Sequence, residues 1–211
     1  MDLHLTDDQR LLRESVREFA VRELAPHVMA WDEAQHFPMD LLPKLAELGL
    51  MGIRVPEALG GSGMSAVDYC LCIEELARVD PAIALSVAAH NGLAAAHLHM
   101  FGTPEQQTRF LVPLATGRVL GAWALTEASS GSDAAAMRTV ARRDGTDWVL
   151  DGTKTFITHG NIAGVIVAMA VTDRARGNRG ISAFVLPADT PGVRAGRKEN
   201  KLGMRASETS E

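Results

Sequence analysis

The hydrophobic pattern of this chain changes period at Gly121, and that change limits the folds open to it more than any other feature. Before Gly121, apolar residues recur every three or four positions behind repeated helix-start signals; after it they alternate. Thr6-Asp7-Asp8-Gln9 has the spacing of a capping box, followed by Leu11, Leu12, Phe19 and Leu24. Pro26 either kinks this helix or joins two. Pro38 suits the first turn of a second helix bearing Leu41, Leu42, Leu45 and Leu48, stopped by Gly49. The stretch 55-VPEALGGSGMS-65 is a loop. Ser65 and Asp68 open a third helix with Cys72, Leu76 and Val79 on one face, and Asp80-Pro81 starts a fourth. Thr103-Pro104-Glu105-Gln106 heads a fifth, which ends near Gly117. An all-α unit over residues 1–119 follows.

The remainder, 120–211, reads as β. The stretch 146-TDWVLDGTKTFITHG-160 alternates, and Asp144-Gly145 and Asp151-Gly152 are hairpin signals. Further strands are expected within 164–172 and 180–187, separated by the arginine-rich turn 173-DRARGNRG-180. The sequence predicts an α+β fold in which an all-α helical domain precedes an antiparallel β domain. Without βαβ alternation, a dinucleotide-binding Rossmann sheet is excluded.

A chain of 211 residues with 46% hydrophobic content can bury a core. Its net charge of −5 argues against a nucleic-acid surface. The charge is split: residues 1–120 carry nine Lys/Arg against sixteen Asp/Glu, whereas 121–211 carry twelve against ten, so an anionic ligand is favoured by the second unit. Cys70 and Cys72 are too close on a helical pattern to bridge each other, and the N-terminus MDLHLTDDQR is acidic where a secretory signal is basic then apolar. The chain therefore reads as cytoplasmic. The segment 81–104 has no Asp, Glu, Lys or Arg, but its histidines, Asn91 and abundant Ala favour a buried helix over a membrane span.

No P-loop, nucleophile elbow, paired-cysteine metal motif or HExxH is present. The run 60-GGSG-63 lacks a preceding strand and reads as a plain loop. His90 and His97 share a helix face without the further ligands that zinc needs, so they read as packed core or cleft histidines. The stretch 121-GAWALTEASSGSDAAAMRT-139 is different, because it gathers short hydroxyls at the junction of the two units. Thr126, Ser129, Ser130 and Ser132 can donate to carbonyl or phosphate oxygens, and Gly131 lets a ligand approach the backbone. An ordinary Ser-rich turn, with Asp133 capping a short helix, explains the same residues equally well.

In this stretch, 124-ALTEASSGSDAAA-136 resembles the signature of the acyl-CoA dehydrogenase family, and 152-GTKTFIT-158 resembles its second signature at the expected distance. The segments 37-FP-38, 47-ELGLMGIRVPEALGGSG-63, 74-EELARVDPA-82, 102-GTPEQQ-107 and 201-KLGMRAS-207 are similar to the family's text in the same order. The resemblance implies a helical domain, a middle β-barrel that binds FAD, and a C-terminal four-helix bundle, so 120–211 is expected to be an incomplete barrel. It also implies that Trp123 packs beside the flavin, Leu125 and Thr126 face its pyrimidine edge, and Phe156, Ile157 and Thr158 line the ring with the Thr158 hydroxyl near N5. Ser132 is implied on the pyrophosphate or CoA side, in contact with cofactor or substrate. Glu127 matches a structural position, and the catalytic glutamate belongs to the bundle, so no catalytic residue is expected within this chain and half a site is implied. An acyl-CoA substrate, an electron-transfer flavoprotein as acceptor and a homo-oligomer, dimer or tetramer, are also implied. Relatives of the same fold that use oxygen, or a non-catalytic acyl-CoA-binding module, are the alternatives. The chain departs from the family at Ala128-Ser129, often Pro-Gly, and at His159, often Asn. The basic segment 194-RAGRKENKLGMR-205 is expected to lie nearer the CoA or FAD phosphates than the acidic helical unit.

Overall fold

The computed structural model describes residues 4–211, so the first three residues of the acidic N-terminal stretch lie outside the described residues. Helix α1 (Asp7–Phe19) starts at the Thr6 capping box and runs on through a wide π turn, Ala20–Leu24. Pro26 marks the join to a separate short helix, α2 (Val28–Ala34), which ends at Gln35 in a left-handed conformation. Pro38 sits in the turn before α3 (Leu41–Glu47) instead of in its first turn. The 55–65 loop leads to α4 (Ala66–Ala77), capped by Ser65 and Asp68 as its spacing predicts. Asp80 caps α5 (Pro81–Ala89) by accepting from the Ala82 and Ile83 amides at 2.8 and 3.3 Å. The uncharged segment then continues through a π turn, His90–Ala95, into α6 (Ala96–Phe101). The fifth predicted helix is α7 (Pro104–Gln106), a π turn Gln107–Leu111, and α8 (Val112–Ala115).

Helices α1 to α5 pack on one core, while α6 and α8 contribute Leu98, Leu114 and Ala115 to a second. Val16, Phe19, Leu24, Leu41, Leu45, Leu50, Met51, Ile53, Cys72, Leu76, Ile83 and Val87 are all buried in the first. Burying a side chain of this size contributes about 1.5–3 kcal/mol. Most of residues 82–98 in the uncharged segment are buried, whereas Met100 and Phe101 are exposed, and no helix among the described residues is long and apolar enough to cross a membrane. Cys70 is exposed and Cys72 buried, as helical divergence requires.

Strand β1 (Gly121–Ala124) leaves the helical unit, and the hairpin of β2 (Val140–Asp144) and β3 (Asp147–Asp151) turns at Gly145, whose φ is +59°. The Asp151-Gly152 signal makes no hairpin. Gly152 is instead a close approach, since a Cβ there would lie 2.3 Å from the Thr139 hydroxyl. Then follow β4 (Ile157–Thr158), β5 (Val165–Val171), β6 (Ile181–Pro187) and β7 (Thr209–Ser210). The sheet is mixed and not wholly antiparallel: β5 is antiparallel to β6 but parallel to β1. The physical reason is the excursion between them, residues 125–164, which is long enough to return the chain beside β1 in the same direction. A second, two-stranded sheet pairs β4 with β7, and the two sheets do not close on each other, as expected of an incomplete barrel domain.

The helical and β units meet along α5, α6 and β1. Ala94, Ala95, Leu98, Phe110, Leu111 and Leu114 pack with Val165 and Val167. The basic segment is tied to the helical unit elsewhere, at α2. Arg205 donates to Asp32 of α2 through its side chain and its amide at 2.8 Å, Lys198 reaches the Gln35 carbonyl, and Lys201 donates to Thr209 Oγ1 at 2.9 Å and to the Ser207 carbonyl. Three of the five basic groups are therefore held by the helical unit or by Ser207 and Thr209.

Candidate functional site

The two signature stretches are neighbours in space. The chain leaves β1 through Leu125 and Thr126, and the Thr126 carbonyl accepts from the Thr155 amide at 2.8 Å, which sets the approach to β4 alongside it. Below the contact lies a buried ion pair. Lys154 Nζ donates to Glu127 Oε1 at 2.8 Å and to the Leu125 carbonyl at 2.9 Å. Glu127 also accepts from the Arg138 and Thr139 amides at 2.6 and 2.9 Å. Burial favours the neutral acid, but Lys154, Thr139 and the two amides outweigh it and bring the carboxyl down to about 2. Glu127 is a fully committed structural carboxylate, unsuited to taking a proton.

Each residue expected at the site has a defined place. Trp123 on β1 stacks beside His97, ring centroids 5.3 Å apart, and its indole N–H is buried without a partner. Leu125 and Thr126 are half-buried at the strand exit. Phe156 is 62% exposed and has φ +57°, a left-handed backbone that a bulky residue adopts only under constraint. Thr158 is half-buried and pairs with Thr209. Ile157 differs, because its side chain is buried with Ala122, Ala124, Ala163 and Ile166 and anchors β4 from beneath. Ser132 lies further out, exposed, beyond a tight turn in which Glu127 and Ser130 exchange main-chain hydrogen bonds.

The stretch forms the turn of the plain alternative but without its Asp133 cap. Asp133 precedes the short 3₁₀ helix Ala134–Ala136 without a side-chain cap, while Ser130 Oγ donates to the Asp133 carbonyl at 2.9 Å. A Cβ on Gly131 would meet nothing within 4 Å, so this glycine leaves open space that packing does not demand.

Sequence reasoning gave Lys154 no role, and it read His97 as a core or cleft histidine without its partner Trp123. Lys154 carried a signal, being the one lysine between Lys44 and Lys198, inside an alternating run. His97 donates from Nδ1 to the Leu93 carbonyl at 2.9 Å, and its place beside Trp123 is a tertiary fact with no local mark. His90 is a packed histidine as read. His159, where the family often has Asn, is also fully buried, with Nδ1 donating to the Gly121 carbonyl at 3.0 Å. No cluster of metal-ligating side chains exists among the described residues. A cavity of about 420 Å³ is an open groove between Glu105–Phe110 and Val185–Thr190, and none of the signature residues lines it.

The family comparisons agree with this geometry. The model "Acyl-CoA dehydrogenase, N-terminal domain" matches residues 6–118, and "Acyl-CoA dehydrogenase, middle domain" matches residues 122–211. A short-chain-specific acyl-CoA dehydrogenase of Clostridium acetobutylicum is 42% identical over 211 residues, which are 100% of this chain and 56% of that protein. Butyryl-CoA dehydrogenase from Megasphaera elsdenii superposes with a TM-score of 0.95 at 39% identity, covering 100% of this chain and 56% of that one. A glutaryl-CoA dehydrogenase from Mycobacterium smegmatis in complex with FADH2 gives 0.92 at 39% identity, covering 98% and 52%. The chain thus spans about half the length of the relatives it matches. With both signatures adjacent and two consecutive domain models accounting for nearly every residue, the chain belongs to the acyl-CoA dehydrogenase family.

Proposed function

We propose that this chain carries the flavin-facing half of an acyl-CoA dehydrogenase site, with a helical domain over 1–119 and a β domain over 120–211 holding FAD against one side of an acyl-CoA thioester. The observation that supports the reading is the tie between Thr126 and Thr155, which sets the β1 exit beside the strained, exposed Phe156. The unpartnered Trp123 indole N–H and the open space at Gly131 fit a polar, planar ligand with a phosphate tail.

In this reading the hydroxyls of Thr126 and Thr158, with the main chain at Leu125, stabilise negative charge on the polar edge of the ring. Phe156 covers a face of the ring, Trp123 packs beside it, and Ile157 holds the strand from below. Ser132 on the rim serves the pyrophosphate or the CoA. FAD, when bound, supplies the acceptor for the β-hydride of the thioester, while the α-proton goes to a glutamate outside residues 1–211, giving a trans-2-enoyl-CoA. Glu127 takes no part in proton transfer, because its oxygens already accept from Lys154, Arg138 and Thr139. The physiological acceptor is an electron-transfer flavoprotein, the complete protein is a homo-oligomer, and the free thiols Cys70 and Cys72 suit a cytoplasmic setting.

The test is a titration of the purified chain with FAD, read by flavin fluorescence, followed by acyl-CoA thioesters of several lengths and an artificial electron acceptor. Saturable FAD binding that Thr126→Val weakens is expected, without steady turnover. Turnover on the order of one per second would place a base within residues 1–211 and overturn the half-site reading. Rapid reoxidation by air of the reduced FAD-loaded protein would favour an oxidase.

A further inference from the structure

Lys154 makes none of the contacts assigned above to the flavin, yet its ammonium ties the β1 exit, at the Leu125 carbonyl and Glu127, to the start of the 154–158 segment. Its side chain is 11% exposed and its ammonium bridges the Leu125 carbonyl to Glu127, whose side chain, 6% exposed, grips the 138–139 amides. The next residue, Thr155, holds the Thr126 carbonyl, and the one after that is Phe156 with its left-handed backbone. Phe156 is mostly exposed, so packing around its own ring cannot enforce that conformation. The constraint has to come from the chain on either side of it, and on the N-terminal side Lys154 and Thr155 are both fastened to the β1 exit.

We propose that Lys154, acting through Glu127 and the Leu125 carbonyl, is a positioning residue that sets the spacing between the 125–126 and 156–158 segments and so the width of the flavin slot. This rests on the functional reading above. A charge-assisted bond to a carboxylate plus a bond to a carbonyl fixes the ammonium in two directions, which one backbone hydrogen bond between Thr155 and Thr126 does not. The pair is nearly dry, so it is weakly screened and holds its geometry in salt. An exposed Lys–Glu pair elsewhere, Lys44 with Glu23 at 2.6 Å, offers a matched control on the helical unit.

The experiment compares the full chain with Lys154→Met, Lys154→Arg and the control Lys44→Met. Amide hydrogen exchange is followed at Thr155, Arg138 and Thr139, and FAD affinity by flavin fluorescence and the absorbance envelope of the bound flavin. Lys154→Met is expected to lose at least ten-fold in protection at those three amides while the α1 and α4 amides keep theirs, and to bind FAD at least ten-fold more weakly with an altered envelope. Lys154→Arg should recover most of both, and Lys44→Met should change neither. FAD affinity within two-fold of the parent in Lys154→Met, or unchanged protection at the three amides, overturns the proposal. A parent chain that takes up no FAD overturns the functional reading and the flavin part of this proposal with it, and the exchange data then decide for or against the Lys154 clamp by themselves.

Discussion

The main-chain N–H and C=O of one residue at the domain seam, Gly121, are each held by a buried histidine, and this arrangement predicts a fold sensitive to mild acid. The Gly121 N–H donates to His90 Nδ1 at 3.0 Å, so the His90 proton is on Nε2, which donates to the Met51 and Leu114 carbonyls at 3.0 and 3.2 Å. The Gly121 carbonyl accepts from His159 Nδ1 at 3.0 Å, which leaves His159 Nε2 bare and without a partner. Both rings are fully buried and neutral, in opposite tautomers. Protonating His90 would aim a second N–H at the one already donated by Gly121, and protonating His159 would leave a buried charge unpaired. Burial lowers both groups from 6.5 to about 4; the carbonyls of Met51 and Leu114 oppose this at His90, as does that of Gly121 at His159, where His90 and Lys201 add to the lowering.

The sign follows from linkage. Between about pH 4 and 6.5 the unfolded chain binds more protons at these rings than the folded one, so stability is full above 6.5 and falls as pH drops towards 4. At about 1.4 kcal/mol per pH unit the complete loss is about 3 kcal/mol per ring, and at pH 5 about 2 kcal/mol per ring, or about 4 for the pair. That is a large share of the 5–15 kcal/mol typical of a folded domain. Glu127, held at about 2, contributes stability that is lost only below the ordinary carboxylate range, whereas burial raises Asp80 and Glu208, whose protonation on acidification opposes part of the histidine loss. Urea denaturation at pH 7.5 and pH 5.0 should show the midpoint falling sharply in the parent chain and about half as far in His159→Gln, whose amide can still donate to Gly121. Equal unfolding free energies at the two pH values would refute the assignment of two buried neutral rings.

Phe156→Asn, a side chain that tolerates left-handed backbone, should keep or raise the melting temperature while weakening FAD binding; a marked drop in melting temperature would show that the ring serves the fold. Gly121→Ala places a Cβ 2.6 Å from the Ala94 Cβ in the packed seam, and a loss of about 1–3 kcal/mol in denaturant titration is expected. Asp32→Ala removes both bonds that tie Arg205 to α2, so limited proteolysis should cut the 194–205 segment faster than in the parent, with the helical core unaffected. Glu127→Ala leaves Lys154 buried and unpaired, and a loss of about 3–5 kcal/mol is expected from denaturant titration.

Much of this molecule was legible in its sequence because the informative signals are local. A capping box needs only four consecutive residues, so the starts of α1, α4 and α7 follow directly from Thr6, Ser65 and Thr103. Hydrophobic period separates helix from strand within a dozen residues, which placed the change of architecture at Gly121, and the two signature stretches named the family before any coordinate. What tertiary structure alone decided depends on residues far apart in sequence. The same Asp-Gly dipeptide makes a hairpin at 144–145 but a close approach to Thr139 at 151–152, because only the latter has a strand end packed over it. The parallel pairing of β1 with β5, the choice of Asp32 by Arg205, the linkage of Lys154 to Leu125 and Glu127, and the two histidines on Gly121 all join segments at least twenty-five residues apart. Such contacts leave no period or spacing to read, since which donor reaches which acceptor is set by how the helical unit and the sheet are packed together.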